Sequence, residues 1–309
     1  MTRLFWRAAA LACVAIPTMA FAQPIGEAKI LSGQAVIETD SGYVFVTGPE
    51  RQMGTLLRMP EADDVVQYEE EWAKQLARVQ KKYPSKLASW ESKKAAAEQT
   101  KAKVPDRPIE PTAENFSIEP IEARNAVTFG YTSIYNKSAT PRSFSYLTKM
   151  KPGRYVYHGP LWTGPEGSMG TCYCMGSVAF DVKPGVITNI GNFFAVAASA
   201  GQSAAAAVDM AAVNYDLPAS LQALPHVQAE FHASGKFDNF FRGTVGRMPA
   251  VAGVLAYDRD KVIDAKTGQM AAGMMAANAP PRTAADAVTT TDAGKAGEEE
   301  VTEQVSTQP

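Results

Sequence analysis

The run Met169-Gly-Thr-Cys172-Tyr-Cys174-Met175 places four sulfur-bearing side chains within seven residues. Thiolate and thioether sulfur are soft ligands that suit Cu(I). On an extended strand Cys172 and Cys174 point to one face and Met175 points to the other, so Met169 or His158 is needed to complete a site. The run therefore predicts a candidate copper site formed by Cys172, Cys174, Met169 and His158.

Two other interpretations of this cysteine pair stay open. Both side chains can be small buried hydrophobes of a core strand, with reduced and inert thiols. They can also form a disulfide or redox pair, although same-face residues on an extended strand lie near the upper limit of the Cα separation that a disulfide tolerates. Such a bond would be easily reduced.

Aromatic side chains provide two candidate partner-binding sites. Phe240 and Phe241 belong to the run Lys236-Phe-Asp-Asn-Phe-Phe-Arg242, which is either an anchor patch for a partner or a loop that plugs the core. A second set lies on a predicted helix, where it either faces a partner or packs on the chain that follows. Its members are Tyr68, Trp72 and Trp90.

The composition and the motifs argue against several classes of function. The net charge of −2 gives no global electrostatic case for binding nucleic acid or an anionic membrane surface. The chain lacks Gly-x-Ser-x-Gly, His-Glu-x-x-His, a phosphate-binding Walker loop and a dinucleotide fingerprint. These features favour a non-enzymatic protein over an enzyme of unrecognised type and, copper apart, give no sign of a cofactor.

Residues 1–22 have the pattern of a secretory signal peptide. Arg3 and Arg7 form a short basic region, an apolar stretch follows, and Ala20-Phe-Ala22 provides a cleavage site before Gln23. No later apolar segment is long enough to cross a bilayer, so we expect no membrane span after cleavage. The sequence thus predicts a periplasmic or secreted protein whose two remaining cysteines meet an oxidising compartment.

The N-terminal region 23–60 has the short alternating runs of β-strands. Residues 35–39 and 43–47 flank the turn signal Asp40-Ser-Gly42 and predict a hairpin. Residues 55–59 predict a third strand of the β domain, which ends at a proline.

Region 61–124 predicts a long helical arm with a proline-rich return. An apolar stripe recurs at steps of three and four, and Asp64 with Gln67 resembles a capping box. Pro84 either kinks one helix or separates two helices of a hairpin. The stripe keeps its phase through Pro84, and a return over 103–124 has the reach to follow a helix over 65–102. These two features favour one kinked helix.

Region 125–268 predicts the main part of an antiparallel β-sandwich. The runs 150–155 and 182–187 each contain a Pro-Gly turn that feeds a strand. The expected strands are 126–131, 144–149, 154–158, 171–182 and 186–190, followed by a hairpin over 253–264. From residue 269 to residue 309 the composition is typical of a disordered tail.

Residues 147–191, with their two Pro-Gly strand motifs, resemble an uncharacterised group of secreted and lipid-anchored bacterial β-sandwich proteins. The motif reads Leu-x-x-Met-Lys-Pro-Gly-Arg-Tyr-Val-Tyr, followed by the cysteine-containing run from Cys172 to Gly191. The likeness covers roughly residues 125–195. It implies a β-sandwich, and it implies no function or site residue, since the function of the group is unknown.

Together these features predict a mainly β protein with an inserted helical arm. The first function hypothesis is a non-enzymatic binding or structural module of the cell envelope, whose partner is an unknown envelope protein or polymer. The alternative is a periplasmic soft-metal or redox-responsive protein that uses Cys172 and Cys174.

The predicted signal peptide has a direct test. We expect the exported protein to begin at Gln23, because Ala20 and Ala22 provide the small residues that signal peptidase recognises. The intact mass of protein recovered outside the cytoplasm measures this. Retention of Met1, or a lipid on Cys13, would contradict the prediction.

Overall fold

The computed structural model describes residues 23–130, 134–136, 143–164, 167–202 and 207–273. The predicted signal peptide and residues 274–309 of the predicted tail lie outside the described residues. The described chain divides into two units. Of the described residues, those from Gln23 to Met59 and from Asn125 to Gly273 form a β unit, and Pro60–Arg124 form a helical unit.

The described residues form 15 strands and five α-helices, so the protein is mainly β. The strands are β1 (Gln23–Ile25), β2 (Gly42–Gly48), β3 (Met53–Arg58), β4 (Ala126–Gly130), β5 (Phe144–Met150), β6 (Gly153–Gly159), β7 (Leu161–Gly164), β8 (Gly167–Cys172), β9 (Ser177–Val182), β10 (Ile187–Gly191), β11 (His226–Gln228), β12 (His232–Ser234), β13 (Thr244–Val245), β14 (Leu255–Asp258) and β15 (Lys261–Asp264). The helices are α1 (Glu27–Leu31), α2 (Ala62–Thr100), α3 (Ile121–Arg124), α4 (Phe193–Gln202) and α5 (Ala219–Gln222).

Two five-stranded sheets dominate the β unit. The first has the strand order β1-β5-β2-β10-β11, and the second has the order β12-β9-β6-β3-β4. Two smaller sheets, β13-β8-β7 and β14-β15, complete the described strands. The last of these is the hairpin predicted over 253–264.

Most of the described strand pairs are antiparallel, as expected. The short strand β13 runs parallel to β8, and β10 departs from the expectation by running parallel to both β2 and β11. The reason lies in the two Pro-Gly turns. The turn after Met150 leads from β5 in the first sheet to β6 in the second, and the turn after Val182 leads from β9 in the second to β10 in the first. Each turn therefore changes sheets instead of closing a hairpin, and the direction of β10 is set by its new neighbours.

One large hydrophobic cluster takes side chains from both five-stranded sheets. Val44 and Tyr146 enter it from the first sheet, and Tyr157 and Phe180 enter it from the second. Phe194 of α4 stacks on Tyr157, with the ring centroids 3.9 Å apart. Removing these side chains from water is the main source of stability for the unit.

The predicted strand at 35–39 is wrong, and with it the predicted N-terminal hairpin. The Tyr43 hydroxyl donates to the carbonyl of Val36 and accepts from the amide of Glu38, so backbone groups that a strand would pair are bonded to a side chain. β2 instead pairs with β5 and β10. Both faces of β2 are buried, which accounts for its unbroken apolar run.

The predicted strand over 171–182 is divided in two. β8 ends at Cys172, a turn follows, and β9 begins at Ser177. Gly176 has a φ of +135° in this turn, a conformation that other residues rarely adopt. The two strands belong to different sheets.

The helical unit contains one long helix, α2, which continues through Pro84 as predicted. The predicted capping box is displaced by one turn. The backbone N–H of Glu61 donates to Oδ2 of Asp64 at 2.9 Å, so Asp64 closes the box instead of opening it.

The proline-rich segment 102–120 runs back along α2 without regular secondary structure. Donors on the helix bond to carbonyl groups of this segment in reverse order along the chain: Trp72 to Phe116, Gln80 to Pro111, Tyr83 to Pro108 and Trp90 to Pro105. The carbonyls of proline-rich chain have few backbone donors available, so side-chain donors hold the two segments together.

Truncation of a central core ring tests the packing of the β unit. Phe180 is fully buried and stacks on Tyr155, so we expect Phe180→Ala to lower the free energy of unfolding by about 3–5 kcal/mol. Urea unfolding followed by near-UV circular dichroism measures this. Ile109→Ala is the matched control, because Ile109 is 82% exposed and should change stability by no more than about 0.5 kcal/mol.

Candidate metal and redox centre

The outer face of the second sheet carries the candidate site. Side chains alternate along β6, so Tyr155 and Tyr157 enter the large core while Val156 and His158 point to the opposite face. There Val156 packs with Cys172 and Cys174 in a separate buried cluster. The site therefore lies in a second dry layer and not in the main core.

Backbone hydrogen bonds hold the cysteine segment against β6. The amide of Tyr173 donates to the carbonyl of His158 at 2.7 Å, and the amide of Thr171 donates to the carbonyl of Pro160 at 3.2 Å. The segment that carries both cysteines is thus fixed beside the end of β6, and His158 lies next to the sulfur atoms.

The sulfur atoms of Cys172 and Cys174 are paired as a disulfide, one of the alternatives that the sequence left open. Their Cα atoms are 5.2 Å apart. In a regular strand, two residues span about 6.6 Å, which is near the limit for such a bond. The separation is shorter here because β8 ends at Cys172 and Cys174 already lies in the turn.

His158 completes the group. Its Nε2 lies 3.5 Å from Sγ of Cys172, and the ligand atoms of His158, Cys172 and Cys174 all lie within 4.8 Å of one another. The side chain is fully buried. Burial lowers the pKa of His158 to about 4, so the imidazole is neutral at ordinary pH and can act as a nitrogen ligand.

The second ring nitrogen of His158 is notable. Nδ1 is buried and has no hydrogen-bond partner among the described residues. Leaving a buried polar atom unpaired costs about 1–3 kcal/mol, so such atoms are rare and are often found at functional sites. The unpaired nitrogen makes His158 a candidate functional residue.

Three phenylalanines cover the imidazole. The ring centroids of Phe237, Phe240 and Phe241 lie 5.5, 6.5 and 5.3 Å from that of His158. The side chain of Asn239 closes this loop, because its Nδ2 donates to the carbonyl of Gly243 and its Oδ1 accepts from the amide of the same residue. Phe240 and Phe241, the candidate partner anchors, are half-buried against the site.

The same loop is attached to the cysteine segment by its backbone. The amide of Phe237 donates to the carbonyl of Cys174, and the amide of Gly246 donates to the carbonyl of Cys172. Between these contacts β13 pairs parallel with β8. We call residues 237–246 the aromatic flap.

The expectation that Met169 is a ligand is wrong. Met169 is 59% exposed and pairs with Trp162 across the β7–β8 hairpin, whereas Cys172 is fully buried. Three residues along a strand separate Met169 from Cys172, so their side chains leave opposite faces about 10 Å apart. Of the predicted ligand set, the structure brings together His158, Cys172 and Cys174.

The aromatic residues of the helix are partly covered by their own chain. Trp72 and Trp90 are half-buried, and each indole N–H is bonded to the return segment. The guanidinium of Arg124 lies 5.6 Å from the ring centroid of Tyr68. This is the arrangement expected if the aromatic residues of α2 pack on the return segment. That Tyr68, Trp72 and Trp90 bind a partner stays a hypothesis.

The disulfide does little to hold the fold. It joins residues two apart, and closing so short a loop contributes about 1.5 kcal/mol in the chain-entropy account, against almost 5 kcal/mol for a loop of about 100 residues. A disulfide that stabilises the fold would connect segments that are distant in the chain. The sequence separation therefore favours a chemical role for the pair.

The aromatic flap is the part of the site that the sequence missed. The run 236–242 was recognisable as unusual, but nothing in it indicates that Asn239 closes a turn or that the rings lie over His158. The contacts of the rings with His158 join segments more than 60 residues apart in the chain.

The pKa of His158 predicts a pH-dependent stability in the metal-free, oxidised protein. The unfolded chain binds the proton near pH 6.5 and the folded chain only near pH 4. This contribution is therefore intact above pH 6.5 and is lost as pH falls toward 4, by up to about 3 kcal/mol.

Urea unfolding between pH 7 and 4.5 measures this dependence. We expect His158→Gln to flatten the slope and His226→Gln, at an exposed position, to leave it unchanged. Equal slopes in the wild type and in His158→Gln would contradict the prediction.

Comparison with known proteins finds no match to a family model, a curated protein or a solved structure. Within the described ranges, no helix is both long enough and apolar enough to span a membrane.

Proposed function

We propose that His158, Cys172 and Cys174 form a redox-gated site for a soft metal ion, with Cu(I) as its cargo. The observation that carries this proposal is the convergence of two sulfur atoms and a neutral imidazole nitrogen within 4.8 Å, at three buried positions. Soft sulfur with imidazole is a donor set that suits Cu(I).

The number of donors favours this ion over zinc. Structural zinc sites take four protein ligands in a tetrahedral arrangement, and catalytic sites take three with water in an open position. Here three donors converge under the rings of the aromatic flap, which limit the entry of water. A low coordination number in a dry pocket is better suited to a monovalent soft ion.

Metal binding requires the reduced pair, because a sulfur in a disulfide is no longer a thiolate donor. Reduction by an external dithiol opens the S–S bond: the dithiol gives two electrons and two protons to the cysteine pair and becomes a disulfide. In a metal site the two sulfur atoms would lie about 4 Å apart, so reduction must be followed by a small separation of the cysteine side chains and loss of their protons. Oxidation by an external disulfide reverses this. The two thiolates lose two electrons and form the S–S bond, and the external disulfide takes up these electrons with two protons from water and becomes two thiols. The metal ion leaves without a change of oxidation state.

The proposed location rests on the sequence alone. The predicted signal peptide supports a periplasmic or secreted protein, where thiol pairs meet oxidising conditions. A cysteine pair that is reduced by a dithiol and oxidised again by disulfide exchange would bind or release the metal ion according to the redox conditions of that compartment.

A second candidate function is a non-enzymatic binding or structural module of the cell envelope. The feature that favours it is the helical unit, whose long helix and return segment are held by repeated side-chain hydrogen bonds. This unit has no evident part in the chemistry of the cysteine pair.

We also propose that the two five-stranded sheets form a β-sandwich like that of the bacterial group which residues 125–195 resemble. Support comes from the hydrophobic cluster that Val44 of the first sheet and Phe180 of the second sheet share. The two Pro-Gly turns, which lead the chain from one sheet to the other, also support it. The likeness adds no function.

The copper proposal is tested by anaerobic titration of the reduced mature chain with Cu(I) against a chromogenic chelator. We expect one equivalent of Cu(I) per chain for the reduced wild type and none for the disulfide form. Cys172→Ala with Cys174→Ala should abolish binding, and His158→Gln should weaken it at least tenfold, because each removes a donor.

Met169→Leu is the matched control, since Met169 is exposed and lies outside the proposed site. It should bind Cu(I) like the wild type. Equal binding by the disulfide form or by the double alanine variant would overturn the proposal, as would a tighter, stoichiometric site for Zn²⁺.

A further inference from the structure

The charge of the helical unit is strongly segregated along the chain. Residues 61–71 contain six acidic side chains and no basic one. Residues 74–107 contain ten Lys or Arg and three Asp or Glu, a net charge of +7, in a chain whose overall net charge is −2. None of these cations lies in the last turn of α2, where a cation would stabilise the helix through its dipole.

A groove lies within this basic half. It has a volume of about 520 Å³ and is bounded on one side by α2 and on the other by the return segment. The helix provides Lys82, Lys86 and Lys93, which recur on one face and span about 16 Å at the standard rise. The return segment provides Pro105 and Pro108.

The cations of the groove are available to a ligand. Lys82, Lys86 and Lys93 are exposed, and none of them has an ion pair with a carboxylate among the described residues. Asp106 is the carboxylate among the lining residues, against three lysines. Like charges on neighbouring turns repel one another, so an anion bound along this face would relieve an unfavourable interaction.

The other lining groups suggest what kind of anion fits. Ser85 and Ser89 provide hydroxyl groups, and Trp90 with the two prolines provides apolar ring edges. Sugar rings present the same combination of hydroxyl groups and apolar C–H faces. A flat bilayer cannot enter a groove, and amphipathic helices that bind bilayers expose an apolar face, which α2 partly covers with its return segment.

We propose that this groove, which we call the basic groove, binds an anionic glycan, a linear polymer that carries carboxylate or phosphate groups. Its charges would pair with Lys82, Lys86 and Lys93, and its rings would lie against Trp90 and Pro108. The proposal rests on the second candidate function, to which it assigns a ligand class, and it is independent of the copper site.

The test uses the full mature chain and alginate, a carboxylated glycan, with neutral dextran for comparison. We expect alginate to bind with an affinity that falls as salt rises, because the contacts are ionic and exposed. Lys82→Gln with Lys86→Gln and Lys93→Gln should weaken binding at least tenfold.

The control is Lys74→Gln with Lys101→Gln and Lys103→Gln, which removes the same charge outside the groove and should stay within threefold of the wild type. If both variants lose alginate affinity equally, net charge alone accounts for binding and the proposal is overturned. Tighter binding to poly-L-glutamate or to phosphatidylglycerol vesicles than to alginate would also overturn it. If the wild type does not bind alginate but still binds Cu(I), this inference is refuted and the copper proposal stands.

Discussion

The central constraint on the β unit is that its second sheet has two faces to remove from water. The large cluster of Tyr157, Phe180 and their neighbours covers one face. The other is covered by the cysteine segment and the aromatic flap, which bond to each other through backbone groups. Since His158 occupies the second face by strand alternation, this cover is what dries the imidazole and keeps it neutral.

The same arrangement explains why the candidate centre can combine stability with chemistry. The main core contributes most of the apolar burial and lies on the opposite face of the sheet, so opening the thinner second layer need not disturb it. The cysteine pair spans two residues and contributes little to the fold by cross-linking. This is why the proposed function asks for a change of redox state at this position and not at a disulfide that cross-links distant segments.

The helical unit follows a different principle, since its helix has little core to bury. Its apolar stripe meets the return segment, which joins none of the described sheets, and side-chain donors such as Trp72 and Trp90 bond to carbonyls in that segment. The helix is therefore organised by hydrogen bonds to a proline-rich chain as much as by hydrophobic packing. Its surface stays free to carry a segregated charge. The two proposed sites lie in different units, and each can fail without the other.

The sequence alone predicted the elements whose signals are local. The period of three and four residues predicted α2 through Pro84, and β-prone runs with turn signals predicted β4, β5, β6, β10 and the last hairpin. It also identified His158, Cys172 and Cys174 as candidates. Only the tertiary structure decided their arrangement. The end of β8 at Cys172, the parallel direction of β10, the exclusion of Met169 and the cover by Phe240 and Phe241 depend on pairing between distant segments. A sequence pattern reflects the surroundings of a residue only over about one helical turn or one strand. The four features just named depend on which surfaces come into contact when the sheets bury both of their faces.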